Sequence, residues 1–189
     1  MRILSILSLL TFCFSFIEAK KKTTESIWRN LLKDNANCVT WVSVTAKVEI
    51  SAGGRSMPPQ EHKLEALGTI IADDGLTVLS LNRVDPTANI LSRLRSSSAS
   101  VNVNYTEVII LMQDGTEVPA RLLLKDTDLD LAYVLPIKNK HSEHEDIIFS
   151  KVPQQAKENR TPIILDEVVS IGKLRQTLYR QSTLRRGSV

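Results

Sequence analysis

The segment GTIIADDGLTVLSLNRVD, Gly68 to Asp85, decides the fold. Two apolar, β-branched runs, Leu64 to Ile71 and Leu76 to Leu81, flank Asp73-Asp74-Gly75, where glycine supplies the positive φ that a tight hairpin needs. The pattern predicts strand, turn, strand. A second segment, QDGTEVPARLLLKDTDLDLAYVLPI from Gln113 to Ile137, repeats it. Gln113-Asp114-Gly115-Thr116 is a turn between strands over Val108 to Met112 and Glu117 to Leu124, and a further strand follows at Leu131 to Ile137. Upstream, Val39, Trp41, Val44, Val48 and Ile50 lie in a β-branched run suited to a half-buried strand. Ser51 to Glu61, with Gly53-Gly54 and Pro58-Pro59, reads as a loop or wide hairpin connection. Short strands separated by Gly and Asp turns predict an all-β chain built on a small antiparallel barrel.

Around that barrel the pattern changes. TTESIWRNLLKDNAN, Thr23 to Asn37, sets Ile27, Trp28, Leu31 and Leu32 at helical spacing, which predicts a short helix ahead of the barrel. Asp85 to Asn104 reads as irregular, with Leu91 to Ser98 as a polar insertion. Lys138 to Thr161 is polar and contains proline, as a linker does, and a last strand pair is expected at Pro162 to Ile171 and Gln176 to Arg186.

The chain has 189 residues, 42% hydrophobic and 24% charged, which suits one core with flanking segments. A net charge of +3, with Lys and Arg concentrated after Gly172, is too mild for a nucleic-acid binder, and solvated surface charge accounts for it. Met1-Arg2, an apolar run from Ile3 to Ile17, and Glu18-Ala19 ahead of three lysines have the layout of a signal peptide ending near Ala19, with an uncleaved anchor as the alternative. The expected location is therefore periplasmic or secreted, with no stable membrane span once the leader is removed. Of the two cysteines, Cys13 lies in the leader and follows a bulky Phe12, unlike a lipoprotein box. Cys38 then has no partner for a disulfide and reads as a small buried hydrophobe.

The two deciding segments resemble the HtrA branch of the trypsin-like serine proteases, whose first barrel carries GSGxII, an acidic Gly turn and TNxHV. Gly68, Ile70, Ile71, Gly75, Val84 and Asp85 fall on that pattern without a gap. Asn82 occupies the position of the catalytic His, and Leu79-Ser80 replace the Thr-Asn lead-in. A following DGxxxPA strand and D…TDLALL strand are matched by Asp114, Gly115, Pro119, Ala120, Asp126, Asp130, Leu131 and Ala132, which puts Asp130 at the family's catalytic Asp. The DxVxAIGNPFG start of the second barrel is echoed by Asp166, Val168, Ile171 and Gly172, with Lys173-Leu174-Arg175-Gln176 in place of NPFG. No GNSGGP nucleophile loop occurs from Lys173 to Val189. The residue patterns mark a signal peptide (1–19), an N-terminal helical segment (20–37) and a polar linker (139–161), and the resemblance implies a trypsin-like first β-barrel (38–138) and a partial start of the second barrel (162–189).

A serine protease needs a hydroxyl nucleophile, an imidazole to take and return its proton, and an acid to orient that imidazole. The carboxamide of Asn82 has no basic site near neutral pH, and the neighbouring Arg83 is permanently charged. Asp130 is then either the acid of a triad completed by another chain or a vestigial barrel residue that binds backbone amides or Asn82. The remaining imidazoles are His62, in a polar segment and expected in an exposed loop, and His141 and His144, in HSEHED. That run has the spacing of a weak metal site but reads as solvated charge, so no metal or other cofactor is expected. The functional expectation is an inactive, exported barrel that binds a peptide or protein, in partnership with a second copy or a second-barrel chain, because the face that family members bury between barrels would be left apolar. The alternatives are half of an endopeptidase completed by a separately encoded barrel, and a truncated remnant.

Overall fold

The computed structural model describes residues 25–94, 99–137, 147–153, 161 and 163–189. Helix α1 spans 25–35 and passes through a 3-10 turn at Ala36–Cys38 into strand β1, Val39–Ala52. Asn35 ends the helix by donating its side-chain amide to the Leu31 carbonyl at 2.9 Å. The turn Gly53-Gly54, with φ of 59° and 76°, connects β1 to the two-residue strand β2, Arg55–Ser56. Then come β3 (Gln60–Ile70), β4 (Thr77–Ser80), the single-turn helix α2 (Leu81–Val84) and helix α3 (Thr87–Leu94). They are followed by β5 (Ser100–Leu111), β6 (Glu117–Asp126), β7 (Leu131–Pro136), β8 (Glu167–Lys173), a 3-10 turn at Gln176–Leu178 and β9 (Ser182–Ser188).

Six of these strands close on themselves. The hydrogen-bonded order is β1-β3-β4-β7-β6-β5, and β5 pairs back with β1 from Trp41↔Leu111 to Ser51↔Ser100. All of these pairings are antiparallel. The first three barrel strands follow one another as neighbours, and the fourth returns to lie beside the first, which is Greek-key order. Strands β8 and β9 form a separate two-stranded ribbon.

Closure follows from the side-chain pattern. Alternate residues of a strand face opposite sides, so Val42 and Val44 enter the barrel core with Leu79, Val84, Ile110, Val118 and Val134, whereas Trp41 and Ser43 face outward. Both sets are buried, because the ribbon covers the outer face: the Trp41 indole donates to the Leu174 carbonyl at 2.9 Å. Thr40 is also buried and extends the closing ladder past its Trp41↔Leu111 end, its hydroxyl donating to the Leu111 carbonyl at 2.6 Å. The start of β1, apolar at Val39, Trp41, Val42 and Val44 with only the small hydroxyl residues Thr40 and Ser43 between them, is what burial on both faces requires.

Several expectations are corrected. Asp85 to Asn104 is not irregular. Ile90, Leu91 and Leu94 lie on a short helix, and Val101, Val103 and Tyr105 alternate along β5. Between them, residues 95–98 of the expected insertion lie outside the described residues. Leu81 leaves the ladder and opens α2, because the chain turns there under Asp130. The last strand pair is shorter and shifted, since a 3-10 turn with left-handed Tyr179 and Arg180 occupies the beginning of the expected second strand. His62 is half-buried in β3 opposite Ala46 and not in a loop. The expected signal segment, His141, His144 and most of the expected linker lie outside the described residues. Among the described residues no helix is long and apolar enough to cross a membrane.

Candidate functional site

The residues singled out from the two deciding segments meet in space. Asp130 ends the turn between β6 and β7 with φ 56°, a left-handed conformation that Asp tolerates better than most residues. From there it closes the exposed end of α2. Its Oδ2 accepts the Ser80 hydroxyl at 2.7 Å, its Oδ1 accepts the Asn82 backbone N–H at 2.8 Å, and its carbonyl accepts the Leu81 N–H at 3.0 Å. The Ser80 side chain does not cap α2 itself, so a carboxylate distant in sequence supplies the cap. The Ser80 hydroxyl, and after it the Asn82 amide, hold the Asp130 carboxyl below the usual carboxylate range. Such a carboxylate is a poor proton acceptor for Ser80.

Asn82 and Arg83 are exposed on a ridge between two depressions. The smaller, about 530 Å³, runs toward α3 and is lined by Asp85, Thr87, Leu91, Val103 and Lys125. The larger, about 1270 Å³, lies between the outer barrel wall and the ribbon. Its floor carries Trp41, Ser43, Leu67 and Leu111, and its far wall is the ribbon turn with Lys173, Arg175 and Arg180. No imidazole is found among the described residues lining either depression. No group of His, Cys, Asp and Glu among the described residues is arranged to hold a metal ion.

Two features of the site escaped the sequence. Asp85, read only as a motif position, anchors the start of α3: its carboxylate accepts the Thr87 N–H at 2.9 Å, the Tyr105 hydroxyl at 2.8 Å and the Lys125 ammonium at 3.2 Å. Lys173, read as surface charge, is only 7% exposed. It sits near Cys38, whose thiol donates to the Asn35 carbonyl at 2.9 Å and is pushed up by burial. Burial pushes the Lys173 ammonium down, and the thiol opposes that only in part. No periodicity announces either role, because both depend on residues distant in sequence.

Removing the cap tests how Asp130 acts. A carboxyl held low in the folded state contributes stability that is complete above its unfolded pKa of about 3.9 and disappears as pH falls through the folded value. Asp130→Ala is therefore expected to melt below the wild type at pH 7, with the gap narrowing as pH falls below about 4. Thermal unfolding followed by circular dichroism across this range checks it, and a gap independent of pH would show that the carboxylate charge is not what caps α2.

Together these features define a closed six-stranded antiparallel Greek-key barrel whose outer wall and an appended ribbon frame one large cleft. Compared with protein-family models the chain matches none, and no curated protein matches it.

Proposed function

We propose that the chain is a trypsin-like first barrel that has lost catalysis and works by binding a peptide or protein in the cleft between barrel and ribbon. The observation that carries this reading is the placement of Asn82. It follows the third barrel strand, its amide is fixed by Asp130 from the turn before the sixth, and it stands at the cleft edge where the resemblance expects an imidazole. The Greek-key order is compatible with a trypsin-like barrel. A carboxamide cannot relay the proton of a nucleophile, whichever chain brings that nucleophile. The half-enzyme alternative is weakened for the same reason.

The test is reaction of the purified chain with a fluorophosphonate serine probe and with casein, for the wild type and Asn82→His. Neither labelling nor cleavage is expected from either protein. Labelling or cleavage by the wild type would overturn the reading. The binding half is tested by selecting a random displayed-peptide library on the immobilised chain. Enriched peptides should bind in solution and compete with one another, and failure to enrich any sequence would overturn it.

A further inference from the structure

The large cleft has an open strand edge on one side and an excess of positive charge on the other. Strand β3 pairs with β1 from Val39↔Thr69 to Val48↔Gln60, but on its other side only Gly68, Thr69 and Ile70 find partners, in β4. Where β4 turns away into α2, the edge of β3 from Gln60 to Leu67 has no ladder partner among the described residues. Lys63 to Leu67 of that edge line the cleft, facing Ser80, Asn82 and Arg83. Unpaired strand edges accept an extended chain by main-chain hydrogen bonds.

The charge of the lining is lopsided. Six cationic side chains stand against two carboxylates, Glu65 and Glu117. Most of these cations are ordinary surface groups, but two are not. Lys173 is buried between this cleft and a second depression lined by Asn37, Thr40 and Asp114, and among the described residues it forms no salt bridge with a carboxylate. Arg180 is half-buried and pairs with Glu65 through one terminal nitrogen at 3.5 Å, while its buried Nε has no acceptor among the described residues. A buried ammonium without a counter-charge, as at Lys173, costs stability, and an anion arriving with a ligand offsets that cost. At Arg180 the free Nε leaves a donor that a ligand carboxylate can take.

Resting on the binding role proposed above, we infer that the cleft takes an extended acidic peptide, laid along the free edge of β3 with its carboxylates against Lys173 and Arg180. The cleft exceeds the roughly 300–1,000 Å³ typical of small-molecule pockets, which suits a peptide strand. Nucleic acid fits less well. Glu65 and Glu117 would repel phosphates, and the one aromatic ring in the lining, Trp41, is buried and bonded to the ribbon, leaving no platform for base stacking.

The experiment is fluorescence anisotropy with the whole chain and three labelled peptides: alternating Glu and Val, the same peptide with Gln for Glu, and the Glu peptide methylated on alternate backbone nitrogens. The Glu peptide is expected to bind about tenfold more tightly than the Gln peptide, and to weaken as NaCl rises from about 50 to about 300 mM. Backbone methylation should cost about tenfold, because it removes the donors that pair with β3. Lys173→Met and Arg180→Gln should each bring the Glu-to-Gln ratio down about fivefold. Lys173→Met replaces a buried, unpaired charge by an apolar side chain of similar shape, so it should melt at or above the wild-type temperature while binding worse. Equal binding of the Glu and Gln peptides, an unchanged ratio in both variants, or an equally tight oligothymidylate would overturn the inference. Selection of neutral peptides from the library would sink the acidic preference and leave the binding role standing, whereas fluorophosphonate labelling would sink that role whatever the peptides do.

Discussion

Gly68→Ala is expected to destabilise the barrel by about 3 kcal/mol, the upper end of what overpacking a core costs. A Cβ on Gly68 would lie 2.5 Å from the Thr77 Cγ2 and 3.3 Å from the Val42 Cγ2. Neither neighbour can withdraw: Val42 is fully buried, and Thr77 is fully buried with its hydroxyl donating to the Gly75 carbonyl at 2.9 Å. The clash can be relieved at its source, since Thr77→Ser removes the offending methyl and keeps the hydroxyl. The double variant should therefore recover about half of the loss, which gives a favourable coupling in a double-mutant cycle. Urea unfolding of the four proteins measures it, and strictly additive losses would show that Gly68 matters for a reason other than this contact.

Asp85→Ala is expected to cost about 2–3 kcal/mol, since hydrogen bonds to a charged acceptor are worth more than neutral ones and their donors are left behind. The Tyr105 hydroxyl and the Thr87 amide lose their acceptor, and Lys125, which lies 5.3 Å from the centre of the Tyr105 ring, loses its counter-charge. Burial works against ionisation of Asp85, but the bonds from Thr87, Tyr105 and Lys125 outweigh it and leave the carboxyl below its usual range. Burial and the adjacent Asp85 carboxylate together push the Tyr105 hydroxyl well above the ordinary tyrosine range. Asp85→Ala should thus restore Tyr105 ionisation toward a normal pH, visible as ultraviolet absorbance in an alkaline titration. A stability loss without that change would place the effect in the start of α3 and not in the Tyr105 bond.

The parts of the barrel legible beforehand are those in which local signals agree. Around Gly75 and Gly115, which adopt φ of 85° and 91°, alternating strands meet turns that only glycine makes easily, and strand and turn fall where the residues place them. The misread stretch, Asp85 to Asn104, fails for a physical reason. Its helix has only a narrow apolar side, Ile90, Leu91 and Leu94. Val101, Val103 and Tyr105, by contrast, alternate with Asn102 and Asn104 in the period of a strand, a local signal that marks the start of β5 but not its partner. There the pairing of β5 with the long β1 decides the structure, and a partner strand is not a local property. The meeting of Asn82 and Asp130 could be anticipated only from the order of the two motifs. The burial of Lys173 could not, because it depends on how the ribbon settles beside Cys38 and Trp41.

The seam between β1 and β5 has a kinetic consequence. Strand β1 can find β3 through a short connection, but the ladder that closes the ring joins residues as far apart as the bonded pair Thr40 and Leu111, 71 positions distant. Closing so long a loop costs chain entropy before any contact repays it, and barrels dominated by such pairings fold in roughly milliseconds to seconds. Until the seam forms, β1 keeps the edge that β5 will take unpaired, in a run whose first half is mostly apolar. During synthesis that run emerges well before Leu111 does, so the nascent chain passes through an interval in which its most adhesive strand is unprotected and capture by a chaperone competes with ring closure.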